Sequence, residues 1–298
     1  MSLTHTFTVG ELRCHTLEGG IQRLDGGAMF GVVPRPLWER RATPDARHRI
    51  QLALRCLLIE HPGGLVLVDT GIGDKDDEKF RGIYGIENRG VLGRTQLDDA
   101  LAEVGHAADE VRWVLNTHLH FDHAGGDTVR SAAGMLDLAF PNATYVVQRG
   151  ELAFARLANE RNRASYLPDN FEPVDRAGRW QLVEGDAGFL PGISLRVTPG
   201  HVPFHQSVVV RSAGETAIFL GDVVPTTAHV PLAWIMGYDV EPLRTLESKR
   251  ALYAEALAGD WLLVFEHDPR VATARLDPGA RGLGLRDVTT VGDTAPVR

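Results

Sequence analysis

The 298-residue chain is poor in cysteine and has no long apolar run, no cluster of basic residues and no Gly-x-Ser-x-Gly motif. Its two cysteines, Cys14 and Cys56, lie far apart and outside any metal-binding spacing, which is typical of a reducing compartment. No apolar run approaches the length of a membrane span, and residues 1–10 lack a basic region followed by an apolar stretch. We therefore expect a cytoplasmic protein without a membrane partner.

The charge balance and the missing motif exclude two further classes. A formal net charge of -8, without a basic patch, gives no electrostatic footprint for nucleic acid, so nucleic acid is not an expected partner. Without Gly-x-Ser-x-Gly there is no serine nucleophile elbow. A hydrophobic content of 44% matches an ordinary folded globule. Because chains of this length often form one domain, we predict a single domain over residues 1–298.

Short apolar runs recur in pairs and predict β-hairpins, as in residues 51–60 and 65–69, which a Pro-Gly turn joins. A polar loop is predicted over residues 71–93 and a short amphipathic helix over 95–105. Further strands are predicted at residues 111–116, 143–148, 194–198, 206–211, 216–220 and 261–265, with helices from residue 151 and over 241–258. Because hairpin-like pairs outnumber strand–helix–strand units, we predict an α/β fold of two packed sheets with helices outside.

The segment after the predicted strand at 111–116 is rich in histidine. Four potential metal ligands fall within six positions: His118, His120, Asp122 and His123. An extended segment directs alternate side chains to one face, so His118 and His120 can bind one cation while the following turn directs the other two elsewhere. This density of imidazole and carboxylate predicts a metal site, and one motif can serve two metals.

Three more potential ligands directly follow predicted strands. They are His201, in Thr-Pro-Gly-His, Asp222, in Gly-Asp, and His267. Together with the histidine-rich motif, in this order, they resemble the metallo-β-lactamase superfamily. The resemblance covers nearly the whole chain, and the combined set is far more specific than any one motif.

The resemblance implies an αββα sandwich, two mixed β-sheets flanked by helices, whose strand-end loops hold two divalent metals. It assigns one metal to His118, His120 and His201, the other to Asp122, His123 and His267, and a bridging position between them to Asp222. By the same resemblance, Asp122 could pass a proton to the leaving oxygen. Imidazole and carboxylate ligands without cysteine suit zinc, which we expect first, and also iron, cobalt or manganese.

Two other polar residues are expected behind the ligands. Asp69 ends a predicted strand and His205 lies four residues past His201, positions suited to orienting a ligating imidazole. A plain turn-capping role is an equal alternative for Asp69. The remaining histidines show no partner pattern and are expected to be exposed: His5, His15, His48, His61, His106 and His229.

Two divalent cations lower the pKa of a bound water to about 7, so this ligand set predicts a metal-dependent hydrolase. The superfamily it resembles includes β-lactamases, glyoxalase-type thioesterases, nucleases, lactonases and organophosphate hydrolases. The acidic balance disfavours the nuclease branch. Uncharged residues 223–227 stand where glutathione thioesterases usually carry basic ones, which disfavours that substrate.

Two uncharged segments, residues 26–34 and 230–238, suit the walls of a pocket for an acyl chain or aryl group. Packing on the core or at a dimer contact is an equal alternative for both. In character and position they are similar to segments of the branch that contains N-acyl homoserine lactonases and methyl parathion hydrolase. Lactonases of the best-known type carry a tyrosine three residues after the bridging aspartate, where this chain has Pro225. Another hydroxyl, such as that of Tyr238, would then assist catalysis.

The leading hypothesis is a dinuclear lactonase that acts on a small-molecule lactone or ester. A phosphotriesterase or arylesterase on the same site is the alternative. A non-hydrolytic di-iron redox protein is disfavoured, because His120 stands where such members carry glutamate. The apolar loops, if exposed, would favour a homodimer.

Overall fold

The computed structural model describes residues 2–279 and 282–291. Its first sheet contains seven strands, in spatial order β1 (Thr4–Val9), β2 (Leu12–Asp25), β3 (Arg49–His61), β4 (Gly64–Val68), β5 (Val111–Leu115), β8 (Thr144–Gln148) and β9 (Trp180–Val183). Pairing is antiparallel from β1 to β4 and parallel from β4 to β9. The sheet is therefore mixed, and its parallel strands bring their carboxyl ends to one edge.

The second sheet also contains seven strands, in spatial order β10 (Ala187–Leu190), β11 (Ile193–Val197), β12 (Gln206–Ser212), β13 (Glu215–Phe219), β14 (Leu262–Val264), β15 (Val271–Gly279) and β16 (Gly282–Thr290). Only β13 and β14 pair in parallel. A two-stranded ribbon adds β6 (Thr128–Arg130) and β7 (Leu136–Leu138).

The described α-helices are α1 (Gly26–Phe30), α2 (Arg35–Trp38), α3 (Glu78–Tyr84), α4 (Gln96–Glu103), α5 (Phe121–Ala124), α6 (Arg149–Arg156), α7 (Pro168–Arg176) and α8 (Pro242–Ala258). Apolar side chains of the facing sheets, such as Leu57 and Val208, form the central core. Helix α4 packs Leu101 on the outer face of the first sheet, and α8 packs Leu252 on the outer face of the second. The layers form an αββα sandwich, which confirms the predicted fold class.

Most predicted elements occur within a few residues of their expected bounds. The hairpin of β3 and β4 is present, and α4 begins after Thr95 with a reciprocal capping box to Asp98. The prediction of a continuous loop over residues 71–93 is wrong, because Asp77 caps α3 by accepting a hydrogen bond from Phe80 N–H at 2.8 Å. Two histidines expected to be exposed are instead buried, His15 and His229. His15 pairs with Glu60, while His229 Nε2 donates to the Met29 carbonyl oxygen at 2.8 Å and its Nδ1 lies 2.7 Å from Thr226 Oγ1.

Arg55 joins the two sheets at the edge that carries the strand-end loops. Its side chain is fully buried, and its guanidinium group pairs with Glu18 of the first sheet at 2.5 Å. The same group donates to the carbonyl oxygens of Phe265 and Val271, at 2.6 and 3.1 Å, beside strands of the second sheet. A planar group with five donors can satisfy acceptors on both sheets at once. The relative position of the sheets at this edge is therefore fixed by a charged, hydrogen-bonded contact.

Candidate active site

The histidine-rich segment begins where β5 ends and turns at α5, where Ala124 N–H donates to the His120 carbonyl oxygen at 3.0 Å. This turn directs the two halves of the motif to different neighbours. One group of potential ligand atoms, all within 4.8 Å of one another, comprises His118, His120, His201 and Asp222. A second such group comprises Asp122, His123 and His267. The structure thus brings together all seven residues that the sequence singled out as ligands, in the two predicted sets.

Asp222 lies between the two groups. One of its carboxylate oxygens, Oδ2, is 3.1 Å from His201 Nε2 and 3.5 Å from His123 Nε2. The other, Oδ1, is 3.2 Å from His267 Nε2. Burial alone would raise the pKa of Asp222, but the surrounding imidazoles hold it well below its usual value. A permanently ionised carboxylate at this position can contact cations on both sides.

The unsatisfied atoms of the cluster fit metal binding. His118 Nε2 and Asp222 Oδ1 are buried and have no hydrogen-bond partner among the described residues. Burial and the neighbouring histidines lower the pKa of His118 and His120 well below the usual value, so both imidazoles are neutral. Neutral imidazole and ionised carboxylate are the forms that bind divalent cations. Orphaned acceptor atoms that converge in this way would be costly without a cation to satisfy them.

The imidazoles are oriented from behind by a second set of hydrogen bonds. Asp69 Oδ2 lies 3.0 Å from His123 Nδ1, and the same carboxylate accepts from Thr117 N–H at 2.7 Å. The carbonyl oxygen of Ala53 lies 2.8 Å from His267 Nδ1. Such partners select the tautomer and fix the ring plane of a ligating histidine. Asp69 therefore touches a candidate ligand, and its second bond joins the loops that follow β4 and β5 rather than capping a turn.

The side chain of His205 supports the backbone of Asp222. The amide of Asp222 donates to His205 Nε2 at 3.0 Å, while His205 Nδ1 lies 2.8 Å from Thr198 Oγ1. The preceding Gly221 has φ +54°, and a Cβ atom there would lie 2.7 Å from His205 Nε2. Only glycine accommodates both this conformation and this close approach, which explains the Gly-Asp sequence after β13.

Three polar residues at the cluster were missed by the sequence reasoning. Asp239 Oδ1 is 3.0 Å from His201 Nδ1, Glu266 Oε1 is 3.0 Å from His123 Nδ1, and Gln22 Nε2 donates to Asp122 Oδ2. Burial raises the pKa of Glu266 to about 8. Isolated residues of these types have no diagnostic spacing, although Glu266 directly precedes His267 and Asp239 directly follows Tyr238.

A cavity of about 160 Å³ opens above the cluster. It is bordered by Asp122, Asp222, His120, His201 and His267, by apolar side chains that include Leu24, Met29, Leu52, Phe121 and Met236, and by Arg161, Tyr84 and Tyr238. Burial raises the pKa of Tyr238 to about 12, so its phenol is protonated at neutral pH and can donate a hydrogen bond. Reactive groups and an apolar wall therefore share one enclosure, as substrate sites usually require.

The two uncharged segments contribute to this cavity only in part. Met29, Met236 and Tyr238 border it, whereas the other large aromatic residues of the segments pack on each other. The ring of Phe30 stacks on His229 at 4.7 Å and meets Trp234 edge-on at 5.8 Å. Each segment therefore lines the pocket with a few residues and packs on the core with the others.

A buried acid lies behind the histidine-rich loop. Glu151 Oε1 accepts from the Tyr166 hydroxyl at 2.8 Å and from Leu119 N–H at 3.1 Å, and Tyr166 packs against the His120 ring at 4.6 Å. Burial raises the pKa of Glu151 from 4.5 to about 7. The loop that presents His118 and His120 is thus supported by a carboxyl group that retains its proton in mildly acidic solution.

Glu151→Gln is expected to change how the stability of the metal-free protein depends on pH. Between pH 4.5 and about 7 the unfolded wild type has released this proton and the folded protein has not. The wild type should therefore lose roughly 3 kcal/mol relative to the variant as the pH rises through this range. Urea unfolding at several pH values measures the difference, with exposed Glu160→Gln as the control. A difference that is constant from pH 4.5 to 7.5 would contradict the shifted pKa.

Imidazoles and carboxylates that converge at strand ends beneath an apolar cavity are typical of metal-dependent hydrolases. The family model described as the metallo-beta-lactamase superfamily matches residues 53–277. An N-acyl homoserine lactonase of a Bacillus species is 30% identical over 230 residues, which is 74% of this chain and 82% of that protein. The chain belongs to the metallo-β-lactamase superfamily and is a metal-dependent hydrolase.

Solved structures agree with the fold and with this class. The crystal structure of a probable metal-dependent hydrolase from Staphylococcus aureus has a TM-score of 0.87 at 29% identity, with 97% of this chain and all of that chain covered. An N-acyl homoserine lactone hydrolase, with the product N-hexanoyl-L-homoserine at its catalytic metal centre, has a TM-score of 0.65 at 26% identity. That alignment covers 88% of this chain and 94% of the other. Among the described residues, no helix is both long and apolar enough to cross a membrane.

Proposed function

We propose that the protein is a dinuclear metal-dependent lactonase that opens rings of the N-acyl homoserine lactone type. The observation that carries the proposal is the position of Asp222 between two groups of ligand atoms at the floor of an apolar cavity. Similarity to lactonases over about three quarters of the chain supports the choice of substrate. The fold alone would not, because this architecture serves many reactions.

In this proposal the candidate ligands would hold two cations. His118, His120 and His201 would hold one, Asp122, His123 and His267 the other, and Asp222 would contact both. Two divalent cations there, with zinc as the favoured metal, would supply a water of low pKa and polarise the lactone carbonyl. The protein's own contribution is to fix the ligand atoms, exclude bulk water and position the proton-transfer groups.

Asp122 is the residue best placed to handle the proton. It borders the cavity, and its Oδ2 accepts a hydrogen bond from the buried amide of Gln22. This amide orients the carboxylate without supplying a charge. Ring opening requires a proton at the leaving alkoxide oxygen, which Asp122 could accept from the attacking water and then deliver.

Tyr238 would supply the hydroxyl that lactonases of the best-known type place at the position of Pro225. The Pro225 carbonyl oxygen accepts from His267 N–H at 3.0 Å, so this residue serves the backbone of a candidate ligand. Tyr238 enters the same cavity from the segment that follows. Its protonated phenol can donate to the oxygen of the lactone carbonyl as negative charge develops there.

A substrate panel tests the proposed function. Protein of measured metal content is assayed against N-hexanoyl homoserine lactone, γ-decalactone, a dialkyl aryl phosphotriester, an aryl ester and a thioester. The highest kcat/KM is expected for a lactone, with one acid equivalent released per ring opened. The proposal fails if no lactone is opened. A higher kcat/KM for the phosphotriester or the aryl ester would assign the site to the alternative activity.

Tyr238→Phe is expected to lower kcat for lactone opening about 10- to 100-fold with a smaller change in KM, because the lost hydrogen bond forms mainly in the transition state. Steady-state kinetics on N-hexanoyl homoserine lactone measures this split. Tyr84→Phe removes the other phenol of the cavity and is the matched comparison. A larger loss in the Tyr84 variant would transfer the role to that residue.

A further inference from the structure

Arg161 lies at the rim of the candidate active site, on the segment between α6 and α7. It is exposed and borders the cavity beside Asn162 and Tyr238. The backbone places it there, because Arg161 N–H donates to Asn159 Oδ1 at 2.9 Å and Asn159 N–H donates to Asn162 Oδ1 at 2.8 Å. The side chain therefore projects from a turn with fixed hydrogen bonds, which limits the positions that the guanidinium group can occupy.

The guanidinium group reaches the segment that carries Tyr238. Its Nη2 donates to the Gly237 carbonyl oxygen at 2.8 Å and, more weakly, to the Asp239 carbonyl oxygen at 3.4 Å. These two residues flank Tyr238, and the Asp239 side chain contacts His201. One nitrogen of Arg161 is thus committed to holding the group next to the proposed catalytic phenol.

The other donors of Arg161 have no acceptor among the described residues. Neither Nε nor Nη1 makes a hydrogen bond within residues 2–279 and 282–291, and no carboxylate there forms an ion pair with this arginine. Some arginines of this acidic chain pair with carboxylates, as Arg94 does with Asp74, whereas others, such as Arg163, have no ion pair among the described residues. Arg161 differs from these in bordering the cavity. A guanidinium group that is held in place at a cavity rim, without an acid, retains N–H donors for a ligand.

The size of the cavity indicates which part of a substrate reaches Arg161. A volume of about 160 Å³ is enough for a small ring above the cluster, so a longer substituent on that ring must leave past the rim. Tyr84, Tyr238, Asn162 and Ser165 also border the cavity, and Arg161 adds the one guanidinium group among the described lining residues. An acceptor oxygen in that substituent is therefore a candidate partner for the remaining donors of Arg161 at the rim.

We propose that Arg161 is a specificity-determining residue that donates a hydrogen bond to a carbonyl oxygen in the substituent of the lactone ring. The inference rests on the proposed lactonase function and assigns to Arg161 the recognition of the acylamide that lactones of the N-acyl homoserine type carry. Lactones whose substituent is a plain alkyl chain lack this acceptor. Since the contact lies outside the reacting carbonyl, it affects the choice among lactones more than the chemical step.

The test compares two substrates in three proteins. The kcat/KM values for N-hexanoyl homoserine lactone and γ-decalactone are measured for the wild type, Arg161→Met and Arg163→Met. Arg163 is a nearby exposed arginine that does not border the cavity, so its replacement removes the same charge from the same segment. Methionine keeps much of the side-chain length in both variants.

In Arg161→Met the ratio of the two kcat/KM values, acylamide lactone over alkyl lactone, should fall about 10- to 100-fold, the usual effect of losing a charge-assisted hydrogen bond. In Arg163→Met the ratio should keep its wild-type value, and Arg161→Lys should recover part of the loss. An equal fractional loss on both lactones in Arg161→Met would overturn the inference and leave the lactonase function intact. A wild type that opens neither lactone would instead overturn the proposed function, and the inference with it.

Discussion

Asp222→Asn is expected to lower kcat/KM for the best substrate by at least about 1,000-fold and to reduce the amount of bound metal. Asparagine has nearly the same shape, so the change removes charge rather than volume. The Asp222 carboxylate lies within 3.1 to 3.5 Å of three imidazole nitrogens, those of His201, His267 and His123. Two cations at the adjacent ligand groups would repel each other without a negative charge between them. Kinetics and metal analysis of the same preparation measure both effects.

Asp137→Asn provides the control for this experiment, because it makes the same chemical change at an exposed strand position outside the cluster. It should bind metal and turn over substrate like the wild type. Retention of more than about a tenth of the activity by Asp222→Asn, together with a full metal content, would rule out a central role for this carboxylate.

Lys249→Met is expected to destabilise the protein by about 4 kcal/mol, since four carbonyl oxygens, one buried and three partly buried, would lose their donor. The Lys249 side chain is only 1% exposed although it belongs to the outer helix α8. Its Nζ donates to the carbonyl oxygens of His229, Pro231, Leu232 and Trp234, at 2.7, 2.9, 3.3 and 3.0 Å. The same loop continues to Tyr238 and Asp239, so the pocket wall should loosen as well.

Denaturant unfolding measures the Lys249 effect, and Arg250→Met is the matched control. Arg250 is the adjacent residue on α8 and is exposed, so its loss removes a positive charge without uncovering carbonyl groups. Its effect should stay within about 0.5 kcal/mol. A Lys249 variant as stable as the control would mean that water can replace the ammonium group in this region.

The candidate ligands could be identified from sequence because each follows a strand end and belongs to a short motif. His118 and Asp222 each lie three residues beyond the end of a strand, where local patterns are most informative. Their partners Asp239 and Glu266 could not be identified in this way, since a single carboxylate becomes a partner only when distant segments pack. The buried state of His229 has the same origin, because its acceptor is the carbonyl of Met29, 200 residues away.

The fold could be predicted where apolar periodicity was strong and was missed where it was weak. The two sheets followed from hairpin-like runs such as β3 and β4. Helix α3 was missed because it is short and charged, and its stability comes from the Asp77 cap and from the packing of Phe80 and Tyr84 on Phe121. Lys249 was equally unforeseeable, since a lysine on an outer helix is usually exposed.

His267 connects the chemistry of the cavity to the cohesion of the sandwich. Its Nδ1 donates to the Ala53 carbonyl oxygen at 2.8 Å, and Ala53 N–H donates to the His267 carbonyl oxygen at 3.0 Å. His267 follows β14 of the second sheet, so these two bonds connect it to β3 of the first. Arg55 strengthens the same contact between the two sheets. A cation held by His267 would therefore bind only when the sheets are docked, and binding energy would be shared with folding. Removing metal with a chelator would then weaken the contact between the two sheets as well as empty the active site.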